Sequence, residues 1–464
     1  MSDFSALNTA ITGLHAHRKR IDVIGENIAN IDTPGYHRQT STLSAIDTRR
    51  PGLFSGSGGR HGGVITDVGR RWDQLLDNNA KEQRSRSASI GAQAEALATV
   101  EAQLGSLGES GFGSRLQALW NSFDDLANQP DDVGVRNVVL GNAELVASSL
   151  RRQAEVIEHQ RVVEIDHLST SVAEINSLAA GIAELDRTIV AGVAAGNDPH
   201  GAMDERDRMT TELVGIVGGK VSYAENGGVR FSVDGYNLVA DGQSATVSMA
   251  SIPDPALNDV GYPKLAVVAA SGRELRLIGG TVNGGLQVVN DRLTVELRAL
   301  NDMAALTAAS VNALHQAGSG LDGSTGSSLF DPAGTTAKTF ALSGDVRGQP
   351  VKLAASDGSA LLDNSVALAL AGLGDDPNGP SAAHFRFVTN LGGTVRALNN
   401  QADVARLASE HADSANQAAT GVDLDEELAD LMSAQRAYEA SSRVISAVDE
   451  MLDVLINRTG IVGR

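Results

Sequence analysis

Histidine, aspartate and glycine residues cluster at three places in this 464-residue sequence where metal or phosphate chemistry could occur. His15 and His17 lie two residues apart, which does not give the i, i+4 spacing of a helical zinc pair, so they are expected at the surface. The oxygen-rich loop from Asp322 to Asp331 lacks the acidic residue that closes a calcium loop, which favours a plain turn. The glycines between 56 and 63 lack the Gly-Lys-Ser/Thr ending of a phosphate loop. We therefore expect no metal ion and no cofactor at these places.

The sequence also lacks the residues that nucleophilic catalysis needs. It has no cysteine, which excludes disulfides, thiolate metal ligands and a cysteine nucleophile. No G-x-S-x-G elbow occurs, although serine and aspartate are plentiful. We expect no catalytic residue and infer that the protein is not an enzyme.

Charge and hydropathy exclude further classes of partner. The net charge of -20 would repel a phosphate backbone, so nucleic acid is an unexpected partner. No run approaches the roughly 18 apolar residues that span a membrane, and no basic start followed by an apolar block predicts a cleaved secretory signal. The sequence thus predicts neither nucleic-acid binding nor membrane insertion.

Helical periodicity at the two ends of the chain gives the strongest positive signal. Apolar residues recur there at spacings of three, four and seven, which paint one stripe on a helix. The N-terminal stripe is Phe4, Leu7, Ile11, Leu14, Ile21, Ile24, Ile28 and Ile31, and the C-terminal stripe is Leu424, Leu431, Ala434, Tyr438, Ile445, Val448, Leu452 and Leu455. Such narrow stripes predict helices that wind around one another and around neighbouring subunits, although a terminal helix docked on its own domain is the commoner case.

A turn motif follows the N-terminal stripe directly. Its residues are Asn27, Asn30, Thr33, Pro34, Gly35 and Tyr36. Pro34 removes a backbone donor and pushes Thr33 towards extended angles, while Gly35 permits positive φ. The first helix is therefore expected to end here.

Three segments of the chain resemble one protein family. The run NIANIDTPGYHRQ at 27–39 resembles the N-terminal signature of bacterial flagellar axial proteins, and residues 421–457 resemble their C-terminal signature. The segment LQALWNSFDDLANQPDDVGVRNVVLGNAELVASSL at 116–150 is similar to the first internal helical region of the FlgK family of hook-associated proteins. The three in this order identify the chain as resembling that family.

The resemblance implies a structural subunit of the bacterial flagellum that self-assembles at the hook-filament junction and connects hook to filament. Its implied partners are copies of itself, the hook protein, a second junction protein and an export chaperone that binds the C-terminal helix. The implied route is flagellar type III export, which places the protein outside the cell in the flagellum. A hook or distal rod subunit is one alternative. A ligand-binding or enzymatic β module displayed on a helical stalk is an alternative of another class.

Composition and periodicity divide the chain into several regions, as expected at this length. We expect a mainly α protein with inserted β structure, in which each inner region is inserted in the one outside it. The terminal coiled-coil polymerisation domain would comprise 1–39 and 420–464, and a long-helix rod domain would comprise 40–216, 286–317 and 387–419. A small β-rich outer domain at 217–285 and a mixed loop and strand insertion at 318–386 complete the division.

Finer expectations follow from local signals. Asp131 or Asp132 could cap a helix, and Val146 to Val193 has few helix breakers, which predicts one long rod helix. Six short segments between turns predict strands: 220–223, 229–233, 237–240, 245–250, 264–269 and 274–278.

The two ends of the chain differ in charge. Residues 1–75 carry nine basic and seven acidic side chains, whereas 403–464 carry five basic and twelve acidic ones. If the terminal helices run antiparallel, Arg18 to Arg20 would lie near Glu439. The acidic cluster from Asp423 to Asp430 would then lack a partner in its own chain and face either an adjacent subunit or solvent.

Overall fold

The computed structural model describes residues 2–45, 64–105, 111–359 and 363–454, with ten α-helices and eight β-strands among them. The helices are α1 (Ser2–Ala29), α2 (Gln74–Gly105), α3 (Phe112–Asn128), α4 (Val133–Ala194), α5 (His200–Val217), α6 (Gly280–Gln287), α7 (Leu293–Ala317), α8 (Ser365–Gly372), α9 (Pro380–Thr420) and α10 (Leu424–Asp453). The strands are β1 (Gln39–Ala45), β2 (Val64–Arg70), β3 (Lys220–Tyr223), β4 (Val229–Val233), β5 (Tyr236–Ala240), β6 (Gln243–Ser244), β7 (Val247–Ile252) and β8 (Lys264–Ala269). The chain is thus mainly helical with small antiparallel sheets.

The longest element is α4, whose 62 residues make a rod about 93 Å long at 1.5 Å per residue. Its start confirms Asp132 as the cap, since the Asp132 carboxylate accepts hydrogen bonds from the backbone N–H groups of Gly134 and Val135 at 2.6 and 3.2 Å. The sequence predicts a helix after the cap and then a long rod helix. The two are one continuous helix because no proline interrupts the stretch.

The strands after α5 cover the C-terminal half of α4. Strands β3 to β6 form one antiparallel sheet in chain order, and β7 pairs with β8. Phe231 and Val267 from the strands share a hydrophobic core with Ile175, Ile182 and Leu213 from the helices. The β region therefore covers one surface of α4 and shares a hydrophobic core with α4 and α5.

Five of the six predicted strand segments contain strands, and the sixth does not. Segment 274–278 contributes only an isolated bridge between Val268 and Glu274. The chain turns away after that single pairing, and Gly279 and Gly280 follow at once. The prediction of a strand here is wrong, since the segment pairs with β8 at one position only.

Helix α6 begins at Gly280, six residues before the start of the predicted rod-domain segment 286–317. A Cβ at Gly279 would lie 2.1 Å from the Ser85 Oγ of α2, and one at Gly284 would lie 2.4 Å from the Ser89 carbonyl oxygen. The glycines therefore serve a close crossing of α6 over α2 rather than a loop. Because this segment contains so many glycines, its sequence does not indicate a helix.

A second hydrophobic core fills the space between α3, the N-terminal half of α4, α7, α8 and α9, and it contains Trp120, Phe123, Phe330 and Phe340. Helix α9 borders this core and begins at Pro380, seven residues before the start of the predicted rod-domain segment 387–419. Proline suits the first helical position, where its missing N–H would have no partner within the helix.

Strands β1 and β2 form a hairpin that runs back along α1. Their register pairs Gln39 with Arg70 and Ala45 with Val64. The Val64 N–H donates to Thr12 Oγ1 of α1 at 3.3 Å, so one side of α1 is covered. Among the described residues, no helix combines the length and the apolar character required to cross a membrane.

Candidate functional site

The two ends of the chain pair as antiparallel helices. Arg20 of α1 forms an ion pair with Asp430 of α10 at 2.8 Å, and Asn27 Nδ2 donates to Glu427 Oε2 at 3.2 Å. Further along, a Cβ built on Gly13 would lie 3.6 Å from Ser441 Oγ. The register differs from the one expected for antiparallel terminal helices, because Arg20 meets Asp430 and not Glu439.

Small and large apolar side chains are both buried where α1 and α10 pair. Ala10, Gly13 and Ala16 are buried on α1, and Ala434 is fully buried on α10. Small residues let two helices approach closely, and Ile24, which is 4 % exposed, lies between Arg20 and Asn27 on the face that meets α10. The contact therefore includes some residues of the two predicted stripes and leaves the others beside it.

The stripe residues differ in how far the pair of helices buries them. Ile24, Ala434 and Val448 are buried, while Leu7, Leu14, Ile21, Ile28, Leu431, Tyr438, Ile445 and Leu452 are half-buried. Ile11, Ile31 and Leu424 remain 39 %, 38 % and 45 % exposed. The side chain of Phe4 and the whole of Leu455 lie outside the described residues. Within one copy, the stripes are thus only partly covered.

The turn motif has the backbone that its sequence predicts. Helix α1 ends at Ala29, and Gly35 has φ +82°. Asn30 Nδ2 donates to the Glu26 carbonyl at 2.9 Å, and the Thr33 hydroxyl donates to Asn30 Oδ1 at 3.2 Å. Thr33 and Pro34 are exposed.

Asn27 of α1 forms hydrogen bonds with the chain that follows the turn. Its Oδ1 accepts hydrogen bonds from the Tyr36 hydroxyl and the Gln39 N–H, both at 2.9 Å, and its Nδ2 donates to the Gln39 carbonyl at 2.8 Å. Burial, Glu26 and Asp204 raise the pKa of Tyr36 above its ordinary range, so the hydroxyl keeps the proton that it donates. Asn27 is only 1 % exposed, and these bonds satisfy its amide.

Arg38 joins the turn to α10. Its Nε donates to Glu427 Oε1 at 2.6 Å, and its two terminal nitrogens reach Glu426 at 2.9 Å and Asp430 at 3.4 Å. We call Arg38, Glu426, Glu427 and Asp430 the Arg38 clasp. The expectation that the acidic cluster lacks a partner in its own chain is wrong, because the turn brings Arg38 onto the start of α10.

His37 joins the same turn to the helical body. Its Nδ1 lies 2.8 Å from Asp204 Oδ1 on α5, and Arg70 bridges Asp204 and Asp207 at 2.8 and 2.7 Å. Burial alone would raise the pKa of Asp207, but Arg70, Arg206 and Lys81 outweigh it and hold that pKa below its ordinary range. The carboxylate is therefore charged and fixed.

Four consecutive residues thus bind different parts of the molecule. Tyr36 and Gln39 bind α1, His37 binds α5, and Arg38 binds α10 and, through its backbone N–H, the Thr420 carbonyl at the end of α9 at 2.9 Å. We call residues 36–39 the strap. Of these, only Tyr36 is a sequence-predicted site residue.

The described residues contain no group of three or more His, Asp or Glu side chains arranged to hold a metal ion. Asp322 lies in a turn in which its carboxylate accepts the Ser324 N–H at 2.9 Å.

Comparisons with known families match three segments of the chain. The model described as the flagellar hook-associated protein FlgK helical domain matches residues 97–330, about half of the chain. The flagellar basal body rod FlgEFG protein C-terminal model matches 414–458, and the flagella basal body rod protein model matches 7–37. The strap therefore begins at the end of the rod protein match.

Individual relatives carry related names. Flagellar hook-associated protein 1 of Bacillus subtilis (strain 168) is 27 % identical over 513 residues, covering 100 % of both chains. Flagellar hook-associated protein 1 of Salmonella typhimurium is 28 % identical over 332 residues, which cover 70 % of this chain but only 59 % of that one. Flagellar basal-body rod protein FlgC of Borrelia hermsii is 61 % identical over 33 residues, 7 % of this chain and 56 % of that one.

Among solved structures, the flagellar hook junction protein FlgK from Burkholderia pseudomallei aligns with a TM-score of 0.49 and 23 % identity, over 55 % of this chain and 46 % of that one. The FlgK helical-domain match carries the assignment, and the matches at the two chain ends add the flagellar rod families. The chain belongs to the flagellar hook-associated protein FlgK family and is a structural component of the flagellum.

Proposed function

We propose that this protein self-assembles at the hook-filament junction and connects hook to filament through its paired terminal helices. The observation that carries the proposal is the incomplete cover of both stripes. Fully burying a Leu or Ile side chain stabilises by about 1.5 to 3 kcal/mol, so a side chain left roughly 40 % exposed retains about 1 kcal/mol for a neighbour to supply. Ile11, Ile31 and Leu424 are exposed to this degree, and each leaves that gain for packing against a further helix.

The strap supports this function by setting the direction of the terminal pair. Its contacts with α1, α10, α5 and α9 are buried or half-buried, so the pair leaves the body at a fixed angle. A polymer needs every copy to present its contact surface in the same orientation. A turn that binds both the pair and the body meets that need.

We further propose the domain division given by the sequence. The terminal domain comprises 1–39 and 420–464, the rod domain 40–216, 286–317 and 387–419, the β-rich domain 217–285, and the inserted segment 318–386. The proposed partners are the hook protein, a second junction protein and an export chaperone for the C-terminal helix, all in a secreted protein of the extracellular flagellum. The absence of cysteine suits a chain that must be exported unfolded.

A hook or rod subunit is the nearer alternative, since both chain ends match rod families. The FlgK helical-domain match over 97–330 favours the junction protein.

A ligand-binding β module is the more distant alternative. A groove of about 590 Å³ between α4 and the β3–β6 sheet would be its site. The buried carboxylate at that groove, Asp186, accepts the N–H groups of Val229 and Gly242 at 2.7 and 3.2 Å and is therefore already used to bind strands to α4. Because Asp186 already binds the strands to α4, its position favours a structural role for this region over ligand binding.

Charge placed in the C-terminal stripe tests the proposed function. The double variant Leu431→Asp with Leu452→Asp puts two carboxylates where neighbouring helices would exclude water, at several kcal/mol per site. We expect normal export but hooks without filaments, seen by electron microscopy of cells that carry the variant as their sole copy. Ala440→Asp, at an exposed position of α10, is the matched control and should support filaments. Normal filaments on the double variant would contradict the proposal, and so would normal filaments in cells lacking the protein.

A further inference from the structure

Helix α10 exposes large apolar side chains in two patches. The neck patch is Leu424, Leu428 and Met432, close to the Arg38 clasp, and the distal patch is Val444, Met451 and Val454. All six side chains are between 43 and 54 % exposed. Leucine, methionine and valine in water along one helix indicate surfaces that a partner covers.

The two patches lie on opposite flanks of α10. At 100° per residue, the buried residues Glu427, Ala434 and Val448 define the side that faces α1. Relative to that side, the neck patch lies roughly 90 to 170° in one rotational sense. The distal patch lies roughly 70 to 150° in the other sense. One helix packed on one flank could not cover both patches.

The positions of the patches suit two copies of the same helix. Leu424 and Val444 are 20 residues apart, and Leu428 and Met451 are 23 apart, which corresponds to about 30 to 35 Å along the axis. Two parallel copies of α10 that are side by side with this stagger bring the neck patch of one against the distal patch of the other.

Charges beside the patches are complementary in the same register. Asp425 borders the neck patch and Arg443 borders the distal patch, and both are exposed. Neither side chain has an ion pair within the described part of the chain. The stagger that joins the patches also places Asp425 of one copy near Arg443 of the next.

We propose that the neck patch of each copy packs against the distal patch of the next copy, with Asp425 facing Arg443. The proposal rests on the proposed function and adds the identity of the partner surface, the stagger and the polarity of the contact. A contact between two different patches is heterologous, so every copy uses both patches and the copies follow one another around and along a tube. In a two-fold contact each copy would instead meet the same partner through both patches, and assembly would stop at a dimer.

A cysteine pair tests the contact directly, because the chain has no cysteine of its own. Leu428→Cys and Met451→Cys lie about 35 Å apart on one helix, whereas a disulfide needs Cα atoms within roughly 7 Å. Any bond between them must join two copies. In intact flagella from cells whose sole copy is the double variant, we expect mild oxidation to give dimers, trimers and longer covalent oligomers of this chain, with 428–451 peptides identified by mass spectrometry.

Single variants and a second pair provide the controls. Either single cysteine variant should remain monomeric on a denaturing gel. The pair Gln435→Cys with Ser442→Cys, both exposed on the neck-patch flank, should give less than a tenth of the cross-linked product. Products that join 428 to 428, 451 to 451, or either cysteine to another protein would overturn the proposal. So would normal filaments without any cross-linked chain, a result that leaves the proposed function standing.

Charge reversal gives an independent readout on the cysteine background. Arg443→Glu should lower the cross-linked yield at least threefold, and adding Asp425→Lys should restore it. A yield that falls further in the combined variant would refute the pairing of these two charges.

Discussion

Replacing Arg38 by methionine should detach the terminal helices from each other near the strap. Methionine keeps an apolar stem but leaves the Glu427 carboxylate, which is 1 % exposed, with Asn27 as its remaining partner in the pair. Breaking a buried ion pair by removing one partner costs about 3 to 5 kcal/mol. We expect a loss of that size in the free energy that opens α1 from α10.

Burial, and not the distance between the charged atoms, determines the size of this free-energy loss. Arg84 and Asp413 join α2 to α9 at 2.8 Å, close to the 2.6 Å between Arg38 and Glu427, but their side chains are 46 % and 38 % exposed. An exposed pair contributes about 0 to 1 kcal/mol. Arg84→Met is therefore the matched control, with a small expected effect.

Native-state hydrogen exchange of the monomer measures the opening free energy of each helix. In Arg38→Met, amides from Arg20 to Ala29 should exchange faster by a factor of roughly 100 or more, while those of α4 keep their protection. Adding Glu427→Gln removes the unpaired charge and should recover most of the loss. If Arg38→Met and Arg84→Met change their own helix pairs equally, or the added Glu427→Gln brings no recovery, the clasp does not hold the pair.

Three further predictions concern the turn and the core. Gly35→Ala should destabilise the turn by about 1 to 3 kcal/mol, measured as local hydrogen exchange, because Gly35 has φ +82°. The control Gly25→Ala lies inside α1 with no atom within 4 Å of the added Cβ, and it should instead stabilise the helix by about 0.5 to 1 kcal/mol. Asn27→Ala should cost about 2 to 4 kcal/mol in the same measurement and release the strap from α1, since four hydrogen bonds lose their partner; protection equal to the unmodified protein would refute that role. Burial raises the pKa of Glu296 to about 7 from 4.5, so the folded state binds its proton more tightly, and the associated stability is complete below pH 4.5 and lost as pH rises through 7. Glu296→Gln should therefore gain up to about 3 kcal/mol over the unmodified protein at pH 8 and nothing near pH 4, by denaturant titration, and a pH-independent difference would show that burial does not perturb this group.

Local signals in the sequence were sufficient for much of the fold. The cap at Asp132, the stop after Ala29 and the positive φ at Gly35 each depend on a few neighbouring residues, and each is confirmed. The short strands from Lys220 onward were also readable, because alternation and turn residues are local properties.

Long-range packing was not readable in the same way. Gly279 to Gly285 reads as loop, and only the position of α2 shows that α6 needs residues without side chains there. Residues 217–285 are expected as an outer domain, and their sequence does not show that Phe231 and Val267 cover Ile175 and Leu213 of the helices. Such contacts depend on the path of the whole chain.

The site was predicted in part for the same reason. The stripes are periodic and so visible, and they include the buried Ile24, Ala434 and Val448, but the buried Ala10, Gly13 and Ala16 carry no hydropathy signal strong enough to mark a face. Arg38 meets Glu427 across 389 residues. The acidic cluster and the basic turn were each evident, and only the fold joins them.

The strap also limits how this protein can be recombined with other flagellar proteins. Asn27 and Glu427 lie within the two terminal segments that match rod families, so a graft of both ends would carry those contacts with it. Asp204, the partner of His37, lies in the matched FlgK helical domain and would stay behind with the body. A chimera that exchanges only the ends therefore keeps the contact between Asn27 and Glu427. It keeps the contact between the strap and Asp204 only when the donor also has histidine at the position of His37.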